Sequence, residues 1–146
     1  MLTANVAIGE HGPIISLRVS ISQPAADAMR GRNRAVPRPI DVPALIDTGA
    51  DCTLIDPSVV LEGLSIQPRG VVPIQCLDKS SEPFDCHGFD VDLRFVSANS
   101  TSTPFTIQVA GFKLGDVPYR AVIGRDLLSY CTFHYVGPDS ECHFNA

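Results

Sequence analysis

The sequence predicts a single domain of the all-β class. Apolar and polar residues alternate in four segments with the period of two that is typical of half-buried strands. Twelve prolines and 11 glycines separate these runs, as an all-β fold with frequent turns requires. A length of 146 residues suits one domain with its own core. The alternating segments are residues 15–21, 89–95, 105–109 and 131–135.

Signals for helices are few, and they predict one or two short helices. Asp56 can cap a helix that has Pro57 at its first position and ends at Gly63. A second helix is expected from Arg125 to about Tyr130. Residues 22–41, rich in Pro, Ala and Arg, are predicted to form an extended loop between two strands. Residues 131–146 are predicted to form a C-terminal hairpin with its turn at residues 137–140.

Composition excludes several classes of partner. The formal net charge is −5, which favours neither nucleic acid nor an anionic membrane. Four arginines crowd into residues 30–38 without an aromatic residue between them, which predicts a solvated loop. Neither a signal peptide nor an apolar run of about 18 residues is present, so we expect a cytoplasmic protein.

The five cysteines predict neither disulfides nor a metal site. Their number is odd and their spacing matches no disulfide framework. Two Cys-His pairs, Cys86-His87 and Cys142-His143, consist of adjacent residues, which point to opposite faces of a strand and chelate poorly. We therefore expect no metal and no cofactor.

Two apolar segments lead into residues that can carry chemistry. In the first, residues 44–46 run directly into Asp47-Thr48-Gly49. Taken alone, this tripeptide is also compatible with an aspartate that caps a turn after a strand. In the second, residues 121–123 run into Gly124 and Arg125, followed by two leucines within a short predicted helix.

Together these two segments resemble the retropepsin family of aspartic proteases, which includes the retroviral proteases. That family combines an apolar-apolar-Asp-Thr-Gly-Ala motif with a later apolar-apolar-Gly-Arg-x-Leu-Leu motif, and both stand here in that order. The resemblance covers about twenty residues; between them, only the β-rich pattern agrees. It implies a closed β-barrel, hydrolysis of peptide bonds in a peptide or protein substrate, and a homodimer.

The resemblance also implies roles for seven residues. Asp47 would be the catalytic carboxylate, and the hydroxyl of Thr48 would form a hydrogen bond across the dimer. Gly49 would let the backbone lie close to substrate. The remaining four residues would support the active-site loop: Ala50 within it, Asp51 and Arg125 as an ion pair between loop and helix, and Gly124 packed behind it.

The chemistry explains why a dimer is expected. In this reaction one carboxylate takes a proton from a water molecule while a second donates a proton to the scissile carbonyl. The chain contains one Asp-Thr-Gly and no Asp-Ser-Gly. A second Asp47 from another copy would complete the pair. The alternative function is a catalytically silent dimeric module that binds peptides or acts as a scaffold.

Three regions depart from the family pattern, and the first is the loop of residues 22–41, which is longer than the tight turn expected there. Retropepsins cover the substrate with a hairpin flap that usually has glycines at its tip. The matching residues, 74–84, contain none, although residues 78–81 can form a turn. The terminal strands that build the viral dimer have no evident match, so we expect the hairpin of residues 131–146 to contribute to the dimer.

Overall fold

Strands dominate the computed structural model, which describes residues 1–75 and 82–146. The prediction of a mostly β fold is confirmed, and all four alternating segments lie within strands or, for Cys131, directly before one. The strands of the described residues are β1 (Thr3–Gly9), β2 (Gly12–Ile21), β3 (Ile40–Ile46), β4 (Leu54–Ile55), β5 (Val71–Ile74), β6 (Phe84–Val96), β7 (Phe105–Gly111), β8 (Ala121–Ile123), β9 (Thr132–Val136) and β10 (Glu141–Asn145).

Six of these strands form a closed barrel, as predicted. The order around the ring is β2, β3, β8, β4, β7 and β6, and pairing of β6 with β2 closes it. Two neighbours are parallel, β3 with β8 and β4 with β7, and the other pairs are antiparallel. Side chains alternate along β2, so Leu17 and Val19 are fully buried in the barrel, opposite Phe95 and Leu93 of β6.

The C-terminal hairpin lies outside the barrel. β9 and β10 pair in antiparallel register around the turn Gly137–Asp139, and β10 also pairs with β1. Phe144 of β10 is fully buried, and its ring lies 4.6 Å from the ring of Phe95 in an edge-on arrangement. The hairpin is therefore packed against the barrel, while β9 is the outer strand of the sheet formed by the described residues.

Besides the 3-10 turn Gly137–Asp139, three short helical segments occur in the described part of the chain, whereas the sequence predicted one or two. They are α1 (Gln23–Gly31), a π-helical turn (Ser58–Gly63) and α2 (Arg125–Leu128). The prediction that residues 22–41 form an extended loop is wrong for Gln23–Gly31, which form α1. The Ser22 hydroxyl accepts a hydrogen bond from the Ala25 backbone N–H at 3.4 Å, and Pro24 lies in the first turn. Ala26 is buried against the core, so tertiary packing stabilises this helix.

Asp56 joins three segments on one side of the barrel. Its carboxylate accepts hydrogen bonds from the backbone N–H groups of Ser58 and Leu114, each at 3.0 Å, and from Arg120 Nη1 at 3.3 Å. Burial raises the pKa of Asp56, but these backbone donors and the charge of Arg120 outweigh burial, so the pKa lies below its usual value. Asp56 was predicted only as a helix cap.

None of the helices in the described residues has the length and apolar character needed to cross a bilayer.

Candidate active site

Asp47 lies at the end of a buried strand, in a tight turn. The backbone N–H of Asp47 donates to the Ile123 carbonyl at 3.0 Å, which ties the turn to β8. The Asp47 Oδ1 atom accepts the N–H of Gly49 at 2.9 Å, and the Asp47 carbonyl accepts the N–H of Ala50 at 3.2 Å. The carboxylate is half-buried, and a side chain at position 49 would approach Oδ1 to 3.1 Å. Glycine at this position therefore keeps the carboxylate accessible.

Gly124 lies directly behind this loop. The parallel pairing of β3 and β8 sets Ile46 opposite Ile123, so the two strands end side by side. A Cβ atom on Gly124 would lie 2.4 Å from the carbonyl carbon of Cys52, a distance that real Cβ atoms do not adopt. Only glycine allows this approach of the two segments.

A buried hydrogen-bond network connects the loop to α2. The hydroxyl of Thr53, a fully buried residue, donates to Asp126 Oδ1 at 2.7 Å and accepts the Gly124 N–H at 3.2 Å. The backbone N–H of Thr53 donates to Asp126 Oδ2 at 2.9 Å. Neither residue was singled out in the sequence. One sequence feature does point to this network: Asp126 is an acidic residue in the first turn of a helix, and that helix directly follows Gly124.

The predicted ion pair between Asp51 and Arg125 is present, but it is exposed. The Arg125 guanidinium contacts the Asp51 carboxylate and donates to the Thr48 carbonyl at 3.3 Å. The side chain of Asp51 is 85% exposed and that of Arg125 is 58% exposed. The backbone of Arg125 also bonds to the loop, from its N–H to the Ala50 carbonyl at 2.8 Å. Backbone bonds and the Thr53–Asp126 network therefore hold the loop more firmly than the ion pair does.

A cavity of about 270 Å³ lies beside the loop. One wall consists of residues 49–52 and Leu54, and the other includes Pro73 and Ile74 of β5 and Phe112. Burial raises the pKa of the Cys52 thiol, and the nearby Asp126 carboxylate adds to the rise. This thiol is therefore protonated near neutral pH and is a poor nucleophile. The walls are mostly apolar, so the cavity can accommodate an apolar side chain next to the loop that begins at Asp47.

Of the hairpin predicted at residues 74–84, only the two arms belong to the described residues. Ile74 at the end of β5 pairs with Phe84 at the start of β6, and Val72 pairs with Cys86. The predicted turn at residues 78–81 lies outside the described residues. β5 borders the cavity, so this arm lies opposite the Asp47 loop.

Thr48 and Gly49 form the exposed tip of the loop. Within residues 1–75 and 82–146, the Thr48 hydroxyl forms no hydrogen bond. The same residues contain no group of three His, Cys, Asp or Glu side chains that could hold a metal ion. The site as described thus presents one carboxylate and one exposed hydroxyl.

Comparisons with known proteins do not assign the chain, because neither a family model nor a curated protein matches it.

Proposed function

We propose that the chain is an aspartic endopeptidase of the retropepsin type, active as a homodimer with Asp47 of both copies in its catalytic pair. The observation that carries the proposal is the placement of Asp47. Asp47 is half-buried and begins a tight turn, and the residues that follow it, 49–52, line a mostly apolar cavity that is bordered by the β5 arm. The close approach of Gly124 to the same loop supports it, because this is the role that the second motif implies.

The proposed reaction needs two carboxylates that share one proton. The ionised carboxylate removes a proton from water, and the water oxygen attacks the scissile carbonyl carbon. The protonated carboxylate donates its proton to the carbonyl oxygen. The carboxylate that took the water proton passes it to the amide nitrogen, and the C–N bond breaks as the diol collapses. The other carboxylate recovers a proton from a diol hydroxyl, so a carboxylic acid and an amine leave and the pair again shares one proton. Asp47 supplies one carboxylate per chain, so the partner copy provides the second.

The exposed loop tip supports the need for a partner. Thr48 presents a hydroxyl that forms no hydrogen bond within the described chain, next to the carboxylate that requires a second copy. Two copies related by a twofold axis through this tip would bring both Asp47 side chains together. We further propose that the C-terminal hairpin contributes to this dimer, because β9 is an outer strand that can accept another strand.

The proposal is tested with the substitution Asp47→Asn. We expect this variant to lose peptide hydrolysis of a denatured protein by about 100-fold or more, because asparagine cannot accept the proton from water. Its unfolding transition should stay close to that of the wild type, since the amide oxygen of the introduced asparagine can still accept the Gly49 N–H.

The matched control is Asp116→Asn, which removes the same charge from an exposed loop residue distant in sequence from the site. It should retain full hydrolysis. A wild-type dimer that binds peptides without cleaving them would contradict the proposal and favour the scaffolding alternative. Retained hydrolysis in Asp47→Asn would contradict it as well.

A further inference from the structure

A second cavity in the described chain lies apart from the Asp47 loop. It is a groove of about 680 Å³, a volume typical of ligand sites. One wall is α1, through Pro24, Ala25 and Met29, and the opposite wall is the segment of residues 64–69. The buried residues Ile21 and Leu64 lie at its base.

Hydrogen bonds fix the wall that consists of residues 64–69. Leu64 and Ile66 donate to the carbonyls of Val59 and Val60 at 3.0 and 2.9 Å. At the end of this wall, the backbone N–H of Arg69 donates to the Gly88 carbonyl of β6 at 2.7 Å. The side-chain amide of Gln108 in β7 donates to the Arg69 carbonyl at 2.7 Å. The groove is thus formed before any ligand binds, which lowers the entropy lost on binding.

The groove is lined by two arginines and one aspartate, Asp90, so its lining is net positive in a chain whose net charge is −5. Arg34 lines it, held by a 2.9 Å hydrogen bond from its backbone N–H to the Met29 carbonyl. Its guanidinium forms no ion pair within the described residues. Arg69 lines the opposite wall, 84% exposed and 3.6 Å from its partner Asp90. This arrangement complements a ligand that carries negative charge and an apolar side chain.

We infer that this groove is an exosite that binds an acidic segment of the polypeptide substrate. An apolar side chain of that segment inserts between α1 and residues 64–69. This inference rests on the proposed function. The wall that ends at Arg69 continues directly into β5, which borders the cavity beside Asp47. From Arg69 to Ile74, an extended chain spans about 17 Å. A substrate held in extended form at the cavity thus reaches the groove within about five residues.

The test measures binding alone, so that it does not depend on catalysis. The probe is a fluorescein-labelled peptide, Glu-Glu-Leu-Leu-Glu-Glu, titrated with the inactive Asp47→Asn protein in a fluorescence anisotropy assay. We expect saturable binding that weakens as salt rises. A second peptide, Gln-Gln-Leu-Leu-Gln-Gln, should bind about fivefold less tightly or worse, since an exposed ion pair contributes about 1 kcal/mol.

Two variants of this protein separate the groove from general charge attraction. Arg34→Glu reverses a charge at the groove, and Ala25→Leu fills it from an exposed position of α1; each should weaken binding of the acidic peptide at least about fivefold. The matched control Arg38→Glu makes the same charge change in the same stretch but outside the groove, and it should leave binding within about twofold.

The inference is overturned if the acidic peptide does not saturate, if both peptides bind equally, or if Arg38→Glu weakens binding as much as Arg34→Glu. These failures are distinct from a failure of the proposed function, which appears as absent hydrolysis by the wild-type protein or as retained hydrolysis in Asp47→Asn.

Discussion

Two polar contacts between the Asp47 loop and α2 differ in how much water reaches them. Asp51 and Arg125 are exposed, so solvent screens their attraction and an ordered pair gains little. Thr53 is fully buried, and its hydroxyl donates a hydrogen bond to Asp126 and accepts one from the Gly124 N–H. A buried polar group that loses its partner costs far more than an exposed one.

Single substitutions at these positions should therefore differ in stability. We expect Arg125→Ala to lower the free energy of unfolding by less than about 1 kcal/mol. Thr53→Val should lower it by about 1–3 kcal/mol, because it leaves the buried Gly124 N–H without its acceptor and removes one of the two donors to Asp126 Oδ1. Thr53→Ser retains the hydroxyl and serves as the control. Urea unfolding measures all three, and a larger loss for Arg125→Ala than for Thr53→Val would contradict this ranking.

These residues also show how far sequence alone could define the candidate site. Asp47, Gly49 and Gly124 stand in short motifs whose chemistry is local, so they could be named in advance. Thr53 and Asp126 are ordinary residues that matter only because β3 and β8 are adjacent and bring their loops together. The exposure of Asp51 likewise depends on tertiary packing that no local pattern encodes.

At the scale of elements, the anchoring of the π-helical turn depends on one buried carboxylate. Asp56 receives donors from the turn itself, from the loop after β7 and from Arg120, whose guanidinium also bonds the carbonyls of Gly115 and Val117. Because its pKa is lowered in the folded state, Asp56 stabilises the fold fully above its unfolded pKa of about 3.9. This stabilisation is lost as the pH falls below that value, through the folded pKa.

Asp56→Asn should therefore destabilise the protein in a pH-dependent way. At pH 7 we expect a loss of about 2 kcal/mol in the free energy of unfolding, since hydrogen bonds to a charged acceptor are replaced by weaker ones. Below the folded pKa the wild type is also neutral at this position, so the difference should shrink. Urea unfolding at neutral and strongly acidic pH measures it, with Asp116→Asn as the exposed control. An equal loss at both pH values would contradict the ionic role of Asp56.

The elements themselves were predictable to different degrees. Strict alternation identified β2, β6 and β7, because one face of each is buried in the barrel. α1 does not follow from the prolines and arginines of its stretch, because a Ser22 cap and one buried alanine stabilise the helix there. The short strands β4 and β8 contain two and three residues, too few for any periodicity to appear.

At the scale of the whole molecule, the proposed activity requires two chains. Specific activity should fall on dilution below the dimer dissociation constant, because a separated chain carries one carboxylate. Two copies joined in tandem by a flexible linker form the control, and they should keep their specific activity over the same range. Sedimentation measures the oligomeric state at each concentration. A chain that is monomeric and fully active would contradict the shared pair.

The closure of the barrel determines when the Asp47 loop can become ordered. The segments that meet there are distant in sequence: Thr48 and Arg125 are 77 residues apart, and β2 pairs with β6 across a similar separation. Contacts of this kind form slowly during folding, because a long stretch of chain must be ordered before they stabilise it. Until β8 reaches β3, the turn lacks the Ile123 and Arg125 bonds that hold it. A newly synthesised chain would therefore complete its folding before the proposed hydrolysis of other polypeptides could begin.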